Sequence, residues 1–167
     1  MEGSAIRIIG IDPGLRATGW GVIEATGLRL SYIASGAVIS RDANSLPRRL
    51  RQLFDGLASV MREHGPAEAA VEETFVNRDP QSALRLGQAR AVALLVPALA
   101  GLPVAEYAAN LIKKTLTGNG HAEKAQVAFM VGVLLPGSGE LGADAADALA
   151  AAITHARLRA ARNRGLA

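Results

Sequence analysis

The chain has 167 residues, 50% of them hydrophobic and 20% charged, with a net charge of +3 and no cysteine. That length suits one globular domain, the composition excludes a disordered or low-complexity chain, and the missing thiols exclude disulfides, zinc–thiolate centres and cysteine nucleophiles. A sequence pI near 9.8 permits a polyanionic partner without specifying one.

Ile6 to Asp12 is a near-continuous apolar run, which predicts a central strand covered on both faces. Asp12-Pro13-Gly14 turns the chain, and Gly19 to Ile23 and Leu28 to Ser40, with Gly27 between them, predict two further strands in a hairpin. Trp20 reads as a packing residue. Residues 41–47 carry loop chemistry with Ser45 as a candidate N-cap; Leu50, Leu53, Leu57, Val60 and Met61 recur at helical spacing as far as His64, where Gly65-Pro66 stops the helix. Ala69 to Glu73 is a short strand. Ser82 to Ala100 is a helix with apolar positions around much of its circumference, which predicts a central helix or one shared with a partner chain. Pro103 to Tyr107 is another strand, Asn110 to Gly118 and Ala122 to Leu135 are helices, 136–139 is a loop, and Ala143 to about Arg162 is a last, alanine-rich helix.

No repeat or linker divides residues 1–167, so a single domain is expected, its last few residues flexible and Arg157, Arg159, Arg162 and Arg164 forming a solvated basic tail. The most apolar stretch, Ala91 to Ala105, is interrupted by Pro97, Gly101 and Pro103 and is shorter than a membrane span; it reads as a buried helix followed by a strand. Met1 to Ala5 lacks a basic region with an apolar stretch behind it, so a cytoplasmic protein with no membrane partner is expected. Three strands in a meander followed by strand–helix alternation predict an α/β fold, a mixed sheet with helices on both faces.

Four carboxylates, Asp12, Glu72, Asp144 and Asp147, stand where apolar elements begin or end. On such a sheet Asp12 and Glu72 fall on neighbouring strands. Glu72 and Glu73 must point to opposite faces, so only one of them can join Asp12. Asp144 and Asp147 are three apart, on one face of the last helix near its start, where acids also suit the helix dipole. Converging acids with no cysteine and few histidines point to Mg²⁺, because hard cations favour oxygen ligands. All the lysines, Lys113, Lys114 and Lys124, lie within twelve residues of each other. Such a cluster suits phosphate contact, and equally a solvated helix face. His121 reads as a surface residue. His155 lies two turns beyond Asp147, about 12 Å away at a rise of 1.5 Å per residue, too far to share a metal.

The segments Gly10-Ile11-Asp12-Pro13-Gly14 with Gly19-Trp20-Gly21, Val71-Glu72-Glu73-Thr74-Phe75, and Ser82-Ala83-Leu84-Arg85-Leu86-Gly87-Gln88-Ala89-Arg90 are similar to motifs of the RuvC family of bacterial Holliday-junction resolvases. So are Ala122-Glu123-Lys124-Ala125-Gln126-Val127 and Asp144-Ala145-Ala146-Asp147-Ala148-Leu149-Ala150 through Ile153-Thr154-His155. The resemblance runs in order over nearly the whole chain. It implies a ribonuclease H-like mixed five-stranded sheet, a homodimer, and an endonuclease that resolves four-way (Holliday) DNA junctions in recombination and repair. Paired symmetric nicks leaving 5′-phosphate and 3′-hydroxyl ends are implied with it. The resemblance further implies an acidic metal site at Asp12, Glu72, Asp144 and Asp147, holding two Mg²⁺ ions with Mn²⁺ as a substitute. Some family members carry histidine at the position of Asp144. Lys113 and Lys124 match basic residues beside the cleaved phosphate, Phe75 an aromatic that stacks on DNA bases, and a branch-migration complex of RuvA and RuvB is the implied partner. Ala91 stands where the family often has glycine, which bears on helix packing.

The chemistry can be argued beside the resemblance. Phosphodiester hydrolysis needs an activated water, stabilisation of the leaving 3′ oxygen and neutralisation at phosphorus, which two Mg²⁺ ions roughly 4 Å apart supply together. Asp12 is then the bridging ligand, Glu72 and Asp147 are ligands, Asp144 is a ligand or an orienter, and Lys124 with Lys113 stabilises developing negative charge. Two rivals stay open. Asp12-x-Gly14 followed by Gly19 also resembles the first phosphate loop of sugar kinases and actin-like proteins, although no second such loop appears. A catalytically idle junction-holding module is the other.

Overall fold

The computed structural model describes residues 4–74 and 79–165. In chain order it contains β1 (Ile6–Asp12), β2 (Ala17–Thr26), β3 (Arg29–Ile39), α1 (Leu46–His64), β4 (Glu68–Glu72), α2 (Pro80–Leu99), β5 (Val104–Tyr107), α3 (Ala109–Thr117), α4 (Lys124–Leu134) and α5 (Ala143–Asn163). The strands form one sheet in the order β3-β2-β1-β4-β5. β1 pairs with β2, and β2 with β3, antiparallel, whereas β1 pairs with β4, and β4 with β5, in parallel. The expected mixed five-stranded sheet is therefore present, and the hairpin turns at Gly27, whose φ of 60° is left-handed.

Strand alternation sends β1 side chains to two cores. Ile9 and Ile11 join Val22, Ala69, Val71 and the buried residues of α1 and α2 on one face. Ile8 joins Ile23, Ala70 and the buried residues of α3, α4 and α5 on the other. Helices thus cover both faces, as the unbroken apolar run of β1 requires. No helix among the described residues is long and apolar enough to cross a membrane.

The α5 face is built from small residues. A Cβ on Gly10 would lie 1.9 Å from the carbonyl oxygen of Ala148, and one on Gly19 would lie 2.1 Å from that of Asp144. Ala145, Ala146, Ala148, Ala150, Ala151 and Ala152 are all buried on the facing helix. Backbone-to-backbone packing of this kind needs glycine on the sheet and alanine on the helix, and it fixes the height of α5 above β1. That height decides where the acids of α5 stand.

Two expectations change. α2 is not a buried helix: Ala89, Ala93, Val96 and Pro97 are buried, whereas Leu84, Leu95 and Leu99 are 70%, 50% and 67% exposed. Only one of its faces reaches the α1 layer, so the wide spread of apolar residues marks a second face rather than a central position. Ser45 does occupy the N-cap of α1, but its side chain accepts no capping hydrogen bond. Trp20 packs as expected, its indole against Gly36 and its ring centroid 5.5 Å from that of His64.

Candidate active site

Asp12 ends β1 and Glu72 ends β4, and because Ile11 pairs with Val71 in parallel register the two carboxylates leave the sheet side by side. Glu72 shares the α5 face with Ala70, two residues earlier. Glu73 takes the opposite direction and is exposed, as the pleat demands. α5 then lays Asp147 over the pair. These three acids line a cavity of about 160 Å³ with Lys113 of α3 and Lys124 of α4, floored by Ile112, Val127 and Ala150.

Burial sets the electrostatics. The Asp12 carboxyl is pushed up to about 8, first by burial and then by the charges of Glu72 and Asp147, against the opposing pull of Lys124. Glu72 is pushed up to about 7, again by burial first and Asp147 next, with Lys124, a hydrogen bond from Asp12 and Lys113 acting the other way. Crowded carboxylates in a half-dry cleft cannot all ionise without added positive charge. Part of that charge comes from Lys124, whose Nζ donates to Asp147 Oδ2 at 3.0 Å and whose own pKa is raised by this contact.

Asp144 does not join the three. It is exposed one turn before Asp147 and lines an adjoining cavity with Tyr32, Ser35 and Gly36. Its charge still raises Asp12, but less than any other contributor. Phe75 lies outside the described residues. His121 is exposed, its backbone N–H donating to Asn119 Oδ1 at 2.9 Å.

The donor set fits a hard divalent cation: every available ligand atom is a carboxylate oxygen, and the raised pKa values of Asp12 and Glu72 mark a pair that positive charge would stabilise. Among the described residues no three acidic or histidine side chains yet converge on a single ion position, Asp147 being paired with Lys124.

One cluster was not visible in the sequence. His155 is buried; its Nε2 lies 2.7 Å from Glu68 Oε2 and its Nδ1 lies 2.7 Å from the Tyr107 hydroxyl, while Arg159 Nε donates to Glu68 Oε1 at 3.0 Å. Arginine and histidine hold Glu68 below the usual carboxylate range although burial opposes them. The cluster ties α5 to β4 and β5, the strands that carry Glu72 and its register partner Tyr107. His155 is thus a structural residue, as its distance from Asp147 had implied.

The sheet order and the meeting of buried acids at the ends of two central parallel strands put the chain among ribonuclease H-like nucleases. The family model described as Crossover junction endodeoxyribonuclease RuvC matches residues 8–155, and the chain belongs to that family. The protein of that name from Methylocella silvestris is 70% identical over 162 residues, covering 97% of this chain and 92% of the relative. The one from Rhodopseudomonas palustris is 60% identical over 159 residues, covering 95% and 91%. Among solved structures, T. thermophilus RuvC in complex with Holliday junction substrate superposes with a TM-score of 0.86 at 31% identity, over 96% of this chain and 97% of that one. The yeast mitochondrial Holliday junction resolvase shares the fold at a TM-score of 0.68 and 12% identity, over 99% and 86%.

Proposed function

We propose that this chain resolves four-way DNA junctions by metal-dependent hydrolysis of one phosphodiester in each of two symmetric strands, leaving 5′-phosphate and 3′-hydroxyl ends. The observation that carries the chemistry is the half-buried Asp12–Glu72 pair, its pKa values raised by burial and by neighbouring carboxylates, with Asp147 and Lys124 beside it. Asp12, Glu72 and Asp147 would hold Mg²⁺, two ions per site with Mn²⁺ as an alternative, and Asp144 would reach the site from its rim. Bound there, the metal supplies an activated water and neutralises charge at phosphorus. Asp12 and Glu72 give up their protons on loading. Lys124, whose side chain is 80% exposed, is free to exchange Asp147 for a phosphate oxygen, and Lys113 faces the same cavity from α3.

A labelled synthetic junction incubated with Mg²⁺, Mn²⁺ or EDTA, beside a linear duplex, tests this reading. Paired nicks that need the metal and spare the duplex are expected; tight binding with no cut under either metal would leave a junction-holding module instead. Lys124→Ala is expected to lower the cleavage rate by about 10²-fold while changing junction affinity only slightly, since its contribution falls where charge develops. Single-turnover kinetics at saturating enzyme separate the two effects.

The raised acids also give a pH signature. Groups with pKa values of about 8 and 7 are largely protonated at pH 6 and become ionised as pH rises through 7 and 8. Metal affinity should therefore rise with pH across that window, with release of on the order of one proton per site near pH 7. Calorimetric titration of Mn²⁺ in buffers of different ionisation enthalpy counts that proton; a buffer-independent heat would contradict the assignment.

Symmetric cutting needs two sites, and the exposed face of α2 offers the surface for a homodimer. Leu84, Leu95 and Leu99 form an apolar stripe that an isologous partner would cover. Leu95→Glu/Leu99→Glu is expected to give a folded monomer in sedimentation velocity, and its cuts on the two strands should lose their pairing. Phe75 is proposed as the base-stacking aromatic, RuvA and RuvB as the machinery that delivers the junction, and the cytoplasm as the compartment.

A further inference from the structure

On the β3 side of the catalytic cleft the chain presents charge that the acid–lysine site does not use. Ala17 pairs with Ile39 and Gly19 with Asp12, so the loop after β1 and the loop after β3 emerge at the same end of the strands as Asp12. Residues 13–17 and 39–49 contain Arg16, Arg41, Arg48 and Arg49 against a single acid, Asp42. Arg16, Arg41 and Arg48 are exposed and make no ion pair among the described residues.

The fourth arginine is a brace. Arg49 has a side chain only 14% exposed; it reaches Asp42 Oδ1 at 2.8 Å and Ser40 Oγ at 2.9 Å. Ser40 is 2% exposed and bonds both sides of the seam: its hydroxyl donates to the Leu15 carbonyl, and its backbone N–H donates to the Arg16 carbonyl at 3.0 Å. The backbone N–H of Arg41 is held in turn by Gln52 Oε1 at 3.0 Å. Two loops and the start of α1 are thus stitched together beneath three free guanidinium groups. Arg48 stands in the first turn of α1, where a cation opposes the helix dipole, so helix stability does not account for it.

We propose that Arg16, Arg41 and Arg48 form a braced cationic shelf that takes the phosphodiester backbone of a junction arm beside the catalytic cleft. The shelf rests on the junction-cleaving function proposed above and extends it to where the flanking DNA runs. β3 lies two strands from β1, about 10 Å at roughly 4.8 Å per strand. At about 3.4 Å per nucleotide of duplex that reaches phosphates roughly three steps from the one cut. Guanidinium groups suit such contacts because their planar forks match phosphate oxygens, and a braced platform loses little freedom on binding. Lys113 and Lys124 stand on the other side of the acids, so the backbone would cross the cleft between two cationic banks.

The test is junction binding by the full-length protein in EDTA, measured as Kd against salt, with hydroxyl-radical footprints of the same complexes. For Arg16→Gln/Arg41→Gln/Arg48→Gln the slope of log K against log salt should shrink by about 2 to 3, near 0.9 for each phosphate released. Protection should fade about three nucleotides to one side of the scissile phosphate. Arg29→Gln/Arg62→Gln removes exposed charge near the opposite end of the strands and should alter neither readout. Ser40→Ala keeps every shelf charge and should weaken binding several-fold with the slope nearly intact. A triple variant with the wild-type slope and footprint, in a protein that binds the junction, overturns the shelf. A wild type that does not bind the junction overturns the proposed function and the shelf together.

Discussion

Asp12→Asn is expected to reduce junction cleavage by roughly 10³-fold or more and, in the same protein, to raise the melting temperature at alkaline pH. The first effect follows from the place of Asp12 between Glu72 and Asp147, where an amide supplies no charge to a metal. The second follows from its pKa. In the folded state the carboxyl is held near 8, far above the ordinary aspartate value of 3.8. The native state therefore keeps a proton that the unfolded chain has lost, and unfolding gains from ionisation as pH rises. Stability from the neutral carboxyl is fully present below about pH 4 and is lost progressively as pH climbs through 8. Asparagine carries no such burden. In EDTA the variant should match wild type near pH 4 and exceed it by about 2 kcal/mol or more at pH 8.5, on the order of 5 °C in Tm. Saturating Mg²⁺ should close that gap by stabilising wild type more than the variant. Thermal melts at the two pH values, with and without metal, check the argument. A variant no more stable than wild type at pH 8.5 would mean that Asp12 is ionised at little cost, and that the cleft is wetter than its burial indicates.

Some of the site was legible in the sequence and some was not. Asp12 and Glu72 could be paired because each closes an apolar run, and runs of that kind become neighbouring central strands. The pleat allows only one of Glu72 and Glu73 to join Asp12, and the choice of Glu72 rests on the family resemblance, because register alone does not say which face α5 covers. Asp147 and Asp144 could be placed on one helix. Their unequal roles could not be read, because these depend on how α5 crosses the sheet, and that crossing is set by close contacts at Gly10 and Gly19 that no periodicity records. The Glu68–His155–Tyr107 cluster was hidden for a simpler reason: its members are 87 and 48 residues apart in sequence and meet only through the sheet order. α2 shows the limit of pattern reading from the other direction. Apolar residues around a helix do not say which of them are buried within the chain, and in α2 Leu84, Leu95 and Leu99 stand exposed.

Gly10→Ala should show how much of the site rests on that crossing. The added Cβ would meet the Ala148 carbonyl oxygen at 1.9 Å, its carbon at 2.9 Å and the Ala152 nitrogen at 2.8 Å. All three are backbone atoms in the middle of a helix, so no side-chain rotation relieves the clash. Bringing the shortest contact out to the 3.0 Å floor for real Cβ atoms requires α5 to retreat by about 1 Å. Overpacking against backbone should cost about 3 kcal/mol, or roughly 6–12 °C in Tm. Gly21→Ala meets mainly the Leu149 side chain, which can turn aside, and should cost less. Gly132→Ala meets nothing within 4 Å inside α4 and should stabilise by up to about 1 kcal/mol. Function should fall further than stability in the Gly10 variant. Asp147 rides on α5 while Asp12 and Glu72 ride on the sheet, so the retreat separates the acids, and a displacement near 1 Å costs on the order of 10²-fold in rate. Cleavage measured well below the variant's Tm isolates that loss from unfolding, and Mn²⁺ affinity on the same sample locates it at the acids. Full activity and metal affinity in a folded Gly10→Ala protein would show that the glycine–alanine contact sets stability alone, and that the acids find each other by another route.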